Sequence, residues 1–305
     1  MNGSVVITGA SSGLGLAAAE QVARAGHHTV LACRDPGRGA AAAARITEAV
    51  PGASVEVVLL DVASLASVRA AADVLGAVRP SISALVCNAG IQVVDGIARS
   101  ADGYELTFAT NHLGHFLLTV LLQEQLARPA RVVVVSSEVH QGPHRSFGFP
   151  APRWQDPHVL AASDTGDRSA RAGRVRYATS KLANLYFTYE LARRVPPELL
   201  TANAFDPGLM PETRLDRDYQ PFMRTMYALT APVLIRGLPG TRSVARSGAD
   251  LAWLATDPSL AGTTGAYFRG RRRAKSSPES HDRARAEELW RVSHELVSAR
   301  PAARR

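Results

Sequence analysis

Thr8-Gly9-Ala10-Ser11-Ser12-Gly13-Leu14-Gly15 follows the apolar run Val5-Val6-Ile7 and leads into an Ala-rich stretch at 14–25 with helical spacing. A strand that passes into a helix through glycines makes a tight turn there. Such a turn lets backbone N–H groups approach a phosphate at the helix N-terminus. A glycine triplet alone is a weak signal. Its place at the first strand-to-helix turn of an alternating chain gives it meaning.

The alternation continues outward from that turn. Residues 5–8, 29–33, 55–60, 84–87 and 132–136 read as strands, and 14–25, 38–50, 65–78 and 103–126 as the helices between them. A helix at 177–194, strands at 201–205 and 266–269, and an amphipathic helix at 283–298 complete the pattern. Near-continuous apolar strands imply burial on both faces, so the expectation is an α/β fold: one doubly wound parallel sheet with helices on both faces. No repeat and no linker divides the chain, which reads as one domain over 1–305. Two segments break the rhythm: 138–176, a variable loop rich in Pro, Gly, His and Arg, and 207–241, a proline-containing lid. Both follow carboxyl ends of strands, where open α/β sheets bind ligands.

Composition bounds the alternatives. With 305 residues, 46% of them hydrophobic and 20% charged, the chain can bury a core and is not disordered. No apolar run nears the ~20 residues of a membrane span, and no signal peptide pattern opens the chain. Cys33 and Cys87 have neither disulfide nor metal spacing, so a packing role, no metal site and a cytoplasmic location are expected. The net charge is +8, and residues 263–305 hold eleven Arg and Lys against five acids. That basic C-terminal helix and tail, at 270–305, lacks aromatic interleaving or a recognition helix, so nucleic acid is not expected as the main partner. A small-molecule substrate is; a homo-oligomer remains open.

Further landmarks stand in order: Asp61-Val62, Asn88-Ala89-Gly90, Asn111, Ser136-Ser137, Tyr177-Ala178-Thr179-Ser180-Lys181 and Pro207-Gly208. With the glycine turn they resemble the short-chain dehydrogenase/reductase family, and so imply a Rossmann-type domain. LACRD at 31–35, TNHLGHFLLT at 110–119 and AEELWRVSHELV at 286–297 resemble the subgroup of retinol dehydrogenases and light-dependent protochlorophyllide reductases. The resemblance implies a catalytic centre of Ser137, Tyr177 and Lys181, with Asn111 holding a water that relays protons to Lys181. It implies cofactor contacts from Gly9, Ser11, Ser12, Gly13, Leu14, Gly15, Asp61, Val62, Asn88, Ala89, Gly90, Tyr177, Lys181, Pro207 and Gly208.

Physical chemistry agrees with that centre. A carbonyl gaining a hydride develops negative charge on oxygen and needs a proton. A free tyrosine, with pKa about 10, is a poor partner near neutrality until a cation favours its anion. Tyr177 and Lys181 are four apart on a predicted helix and share a face. Lys181 is one of two lysines in a chain that otherwise writes Arg, which points to a need for a compact ammonium.

For the cofactor, Arg34 and Arg38 after the second strand favour the 2′-phosphate of NADP(H), while Asp35 leaves an NAD reading open. His112 and His115 read as local hydrogen-bonding residues. His140 and His144, in the variable loop, are open to substrate contact. The departures from the subgroup concern the substrate: Leu209 stands where protochlorophyllide reductases carry a cysteine, and Pro211 intervenes before Thr213. The expected activity is NADP(H)-dependent carbonyl–alcohol interconversion on a bulky apolar molecule, from the lid residues Leu209, Met210, Tyr219, Phe222, Met223, Met226, Tyr227 and Leu229, though core or subunit packing by these remains equally open. A C=C reductase of the protochlorophyllide type and a non-catalytic NADP(H) sensor are the alternatives.

Overall fold

The structure, a computed structural model, describes residues 3–78, 81–146, 148–162, 166–210 and 241–299. Its centre is an eight-stranded sheet in the order β3-β2-β1-β4-β5-β6-β7-β8. The strands are β1 (Ser4–Thr8), β2 (His28–Cys33), β3 (Val55–Leu59), β4 (Ile82–Cys87), β5 (Ala130–Val135), β6 (Leu200–Asp206), β7 (Ala266–Arg269) and β8 (Arg272–Ala274). The first seven run parallel and β8 turns back antiparallel on β7. The expected doubly wound sheet is therefore present.

Alternation along β1 shows why the strands read as apolar throughout. Val5 and Ile7 enter one core and Val6 the other. The first core is completed by α1 (Gly13–Arg24), α2 (Pro36–Ala49) and α8 (Val244–Thr256). The second is completed by α3 (Leu65–Gly76), α5 (Gly114–Leu122), α7 (Ala170–Arg194) and α9 (Arg283–Ser298), with the short helices α4 (Leu106–Phe108) and α6 (Pro157–Ala161) nearby. The chain leaves β1 towards β2 and leaves β4 towards β5. Their carboxyl ends thus bound the crevice where winding direction switches. Among the described residues no helix is long and apolar enough to cross a membrane.

The structure corrects several expected boundaries. Residues 170–176 are not loop: α7 begins at Ala170, capped by Ser169, whose side chain accepts from the Ala172 N–H. Its first turns carry Arg171, Arg174 and Arg176, which hid the apolar period; a Cβ on Gly173 would collide with the Val94 carbonyl. Helix α8 and strand β8 were not anticipated, the latter because Arg272-Arg273 has no strand signal and forms only as the partner of β7. The helix expected over 103–126 runs from Leu106 to Leu122, with a wide π turn at Ala109–Leu113. Most of the expected lid, including Pro211, Thr213, Tyr219, Phe222, Met223, Met226, Tyr227 and Leu229, lies outside the described residues, as do Arg300, Arg304 and Arg305 of the tail.

Gly114, where the π turn becomes α5, sits against the Val62 carbonyl so closely that a Cβ would collide with its oxygen. Both partners are backbone, so neither side can yield cheaply. Gly114→Ala is expected to destabilise the protein by about 2–3 kcal/mol and lower the melting temperature by roughly 5 °C. An unchanged melting temperature would contradict this close approach.

Candidate active site

The glycine turn closes over the end of β1 as an anion cradle. Gly9 has φ +68° and Gly13 φ +55°, both in the region glycine favours. A Cβ on Gly15 would lie 2.6 Å from both Asn88 Nδ2 and the Gly9 oxygen, so this position admits no side chain. Helix α1 receives no side-chain cap from Ser12, whereas Asp35, Ser64, Ser169, Ser243 and Asp282 cap α2, α3, α7, α8 and α9. Its leading N–H groups are left for an anionic group, as a pyrophosphate requires.

Asn88-Ala89-Gly90 lies beside this turn because Thr8 holds it there. The Thr8 hydroxyl accepts from the Asn88 and Ala89 N–H groups, each at 2.9 Å, and Asn88 Nδ2 donates to the Thr8 oxygen at 2.7 Å. His115 completes the clamp. Its Nδ1 is 3.3 Å from the Asn111 carbonyl, which only accepts, so we assign the proton to Nδ1; Nε2 then accepts from the Thr8 hydroxyl at 2.8 Å. Burial pushes the His115 pKa down to about 4, which keeps the ring neutral. His112 is likewise neutral, pushed down to about 3 by burial, and reaches Ser293 of α9 at 2.8 Å. The sequence reading took Thr8 only as the start of the glycine turn and His115 only as a local hydrogen-bonding residue; contact across 107 residues reveals the pair.

Asp61 and Val62 follow β3, and Asp61 Oδ1 accepts from the Ala63 N–H at 3.0 Å. At the end of β2, Arg34 is exposed and has no hydrogen bond or ion pair among the described residues. Asp35 instead turns Oδ1 to the Arg38 N–H at 2.9 Å, capping α2. Arg38 is half-buried, Cys33 and Cys87 are buried, and burial pushes the Cys87 thiol up to about 12.

Ser137, Tyr177, Lys181 and Asn111 come from three separate elements. Tyr177 and Lys181 lie one turn apart on α7, with the ammonium 5.5 Å from the phenol ring centroid. Lys181 is buried, and its Nζ donates to the Val135 oxygen at 3.1 Å. Burial pushes its pKa down to about 8, against the opposing charge of Asp206. Ser137 stands immediately after β5 at the head of a tight turn, where among the described residues its Oγ accepts only a long 3.5 Å bond from the Val139 N–H. Ser136 points inward instead and donates to the Lys181 oxygen at 2.8 Å, so the two serines divide support from display.

Asn111 occupies the π turn, a feature frequent at functional sites. Its Oδ1 accepts from the Ile91 N–H at 2.8 Å, and its Nδ2 donates to the Ile91 oxygen at 3.0 Å and to Ser180 Oγ at 2.9 Å. Gly90 lies between this amide and Lys181: a Cβ there would be 3.3 Å from Oδ1 and 3.6 Å from Nζ. Phe149 stands edge-on to Tyr177 at 6.0 Å between centroids, an apolar wall missed in the sequence because its loop carries no periodicity.

Pro207-Gly208 follows β6, with Gly208 at φ +77° and its N–H donating to Asp206 Oδ1 at 3.0 Å. Leu209 is 40% exposed and Met210 is buried. His140, for which substrate contact was one open reading, is not displayed to solvent. Its ring is buried, with Nδ1 donating to the Ser137 oxygen at 2.5 Å and Nε2 accepting from the Ser277 N–H at 3.1 Å. His144 is exposed. Among the described residues no cluster of His, Cys, Asp and Glu is fit to hold a metal.

The chain is similar in sequence and fold to known proteins. A family model described as short chain dehydrogenase matches residues 4–148. The WW domain-containing oxidoreductase of Danio rerio is 37% identical over 300 residues, covering 97% of this chain and 68% of its own. Human (Homo sapiens) retinol dehydrogenase 12 is 34% identical over 299 residues, covering 97% of this chain and 86% of its own. A solved structure of an uncharacterized protein from Mycobacterium Paratuberculosis superposes with a TM-score of 0.71 at 31% identity, covering 98% of this chain and 94% of that one.

Proposed function

Because the chain belongs to the short-chain dehydrogenase family of oxidoreductases, we propose that it interconverts a carbonyl and an alcohol on a bulky apolar small molecule, using NADP(H), with Tyr177 as proton donor. The observation that carries this reading is the buried Lys181 ammonium, 5.5 Å from the Tyr177 ring on the same helix face. A cation in that place favours the phenolate, which lowers the cost of giving up the proton. Ser137, whose hydroxyl proton meets no strong competitor in its turn, donates to the substrate oxygen as charge grows there. Asn111 fixes the chain beside Lys181 and supports the relay that returns a proton to Tyr177. Phe149, edge-on to Tyr177, and the part-exposed Leu209 after Gly208 supply apolar surface, in keeping with an apolar substrate.

The cofactor fits the residues present. The uncapped α1 N-terminus and the cradle of Gly9, Ser11, Ser12, Gly13, Leu14 and Gly15 would hold a pyrophosphate. Asp61, Val62 and Asn88 to Gly90 would flank adenine and ribose, and Pro207 and Gly208 the nicotinamide side. Reduced nicotinamide, when bound, supplies the hydride. Lys181 would serve twice, holding the cofactor's ribose hydroxyls and favouring the Tyr177 anion.

We read NADP(H) over NAD(H) from Arg34, exposed and without partners among the described residues, while the Asp35 carboxylate is engaged as a helix cap. Arg34→Ala is expected to reduce the NADP(H):NAD(H) affinity ratio by about 10–150-fold, the worth of one charge-assisted hydrogen bond. Calorimetry with both cofactors measures it; an unchanged ratio defeats the assignment. The function itself is tested by NADPH oxidation against a panel of ketones, aldehydes and quinones, with protochlorophyllide run in light and dark. Turnover of a dark carbonyl supports the reading. Light-driven conversion of the pigment alone supports C=C reduction, and tight NADPH binding with no turnover anywhere supports a sensor.

A further inference from the structure

Next to Ser137 is a buried acid, Glu138. Glu138 follows Ser137 in the chain, and its Oε2 lies 2.6 Å from Nη2 of Arg269 on β7. Arg269 is the register partner of Asp206 at the end of β6, with its Nε 3.8 Å from Asp206 Oδ2. One guanidinium is therefore shared by two buried carboxylates. Asp206 also accepts from the Tyr267 hydroxyl at 3.0 Å and, through Oδ1, from the Gly208 N–H. Its charge raises the proton affinity of Lys181. On the other side of the turn, the bridging His140 ring meets Tyr267 edge-on, 5.3 Å between centroids.

Three routes out of this cluster lead to the proposed reaction centre: Ser137 through the chain, Lys181 through the charge of Asp206, and Pro207-Gly208 through the Gly208 N–H. We infer that Glu138 is a positioning residue which, through the shared Arg269, couples the turn carrying Ser137 to the Asp206 carboxylate that supports Lys181. This rests on the reading of Ser137, Tyr177 and Lys181 given above. Ionised, Glu138 holds Arg269 by a charge-assisted bond and pins its turn against β7. Protonated, it keeps the same shape and loses most of that hold.

The charge state of Glu138 changes where an enzyme works. Burial first, and the Asp206 charge second, push its pKa up to about 7, with Arg269 opposing. The groups facing it are Arg269 and Tyr267 from β7 and Asp206 from β6, while His140 of its own turn faces Asp206 and His281. Burial lowers the pKa of His140 and raises that of Tyr267 far above its usual value, so both are neutral in the neutral range. Lys181, on α7 beyond Asp206, titrates higher, at about 8. An acidic limb near pH 7 in the activity profile would therefore report Glu138 and the ion pair that it makes with Arg269.

The experiment compares pH profiles of wild type, Glu138→Gln and Glu138→Asp, using the carbonyl that the wild type reduces fastest and calorimetry for NADPH. Wild-type kcat is expected to rise as pH rises through about 7. Glu138→Gln should lower kcat about tenfold and abolish that limb, with NADPH affinity within about twofold, as for one lost charge-assisted bond. Glu138→Asp should restore part of both. A plain structural ion pair would alter melting without moving the limb. If Glu138→Gln binds no NADPH because it fails to fold, the wild-type profile decides alone: no limb near 7 overturns the inference. Tyr177→Phe runs alongside. If it stays active, the underlying reading falls; if it is inactive while Glu138→Gln keeps the wild-type rate and profile, only this inference falls.

Discussion

Tyr177→Phe is expected to lower turnover by on the order of 10²–10⁴ while leaving NADPH binding intact, the usual range for a lost general acid. The substitution removes one oxygen and no packing surface. The ring of Tyr177 is buried, edge-on to Phe149 and within 5.5 Å of the Lys181 ammonium, and a phenylalanine keeps each of those contacts. In the proposed mechanism the phenol is the proton donor, because a cation beside a phenol favours its anion. Turnover is measured by NADPH oxidation with a confirmed carbonyl, and binding by calorimetry. Retention of more than half the wild-type rate would sink the proton-donor assignment.

Lys181→Met is expected to cost a similar 10²–10⁴ at pH 7, because the phenol then has no cation beside it. The pH dependence has a definite sign. The Lys181 pKa is lowered to about 8, so the ammonium persists below that value and disappears as pH rises through it. Wild-type reductive turnover should therefore fall above about pH 8, and the methionine variant should lack that limb. Stability moves the other way. A lysine with a depressed pKa contributes stability above its unfolded value, and loses it as pH falls through the folded one. At pH 7 the native state carries the cost of a buried cation, so Lys181→Met should melt no lower than wild type there, although it is nearly inactive. A variant that is inactive because it is unfolded would show the opposite. Lys181→Arg is no rescue, since the slot is 4% exposed and the guanidinium is larger and planar. A rate within tenfold of wild type for Lys181→Met would remove Lys181 from the mechanism.

Much of this site was legible in the chain before folding. The glycine turn is local: positive φ at Gly9 and Gly13 and the absence of a side chain at Gly15 are demands on single residues. The Tyr177–Lys181 pair is local too, because one helical turn brings residues four apart together whatever the rest of the molecule does. The parallel sheet was legible because strands buried on both faces must be apolar throughout, as β1 is.

The errors lie where local preference was weak and a distant partner decided the outcome. Strand β8 is a run of cations that pairs because β7 offers an edge, and the start of α7 is a polar helix whose Gly173 answers to the Val94 carbonyl. His140 read as a loop histidine and became a buried strut between Ser137 and Ser277, residues 140 apart in the chain. The Thr8–His115 clamp and the Glu138–Arg269–Asp206 cluster are of the same kind. By itself the sequence determined whatever depends on a residue's own backbone freedom or its neighbours within a turn: the winding of the sheet, the cradle and the Tyr177–Lys181 pair. The tertiary structure alone decided which polar side chains meet across the sheet and how far burial moves their charges. Those quantities depend on the dielectric and the partners that only the assembled core supplies.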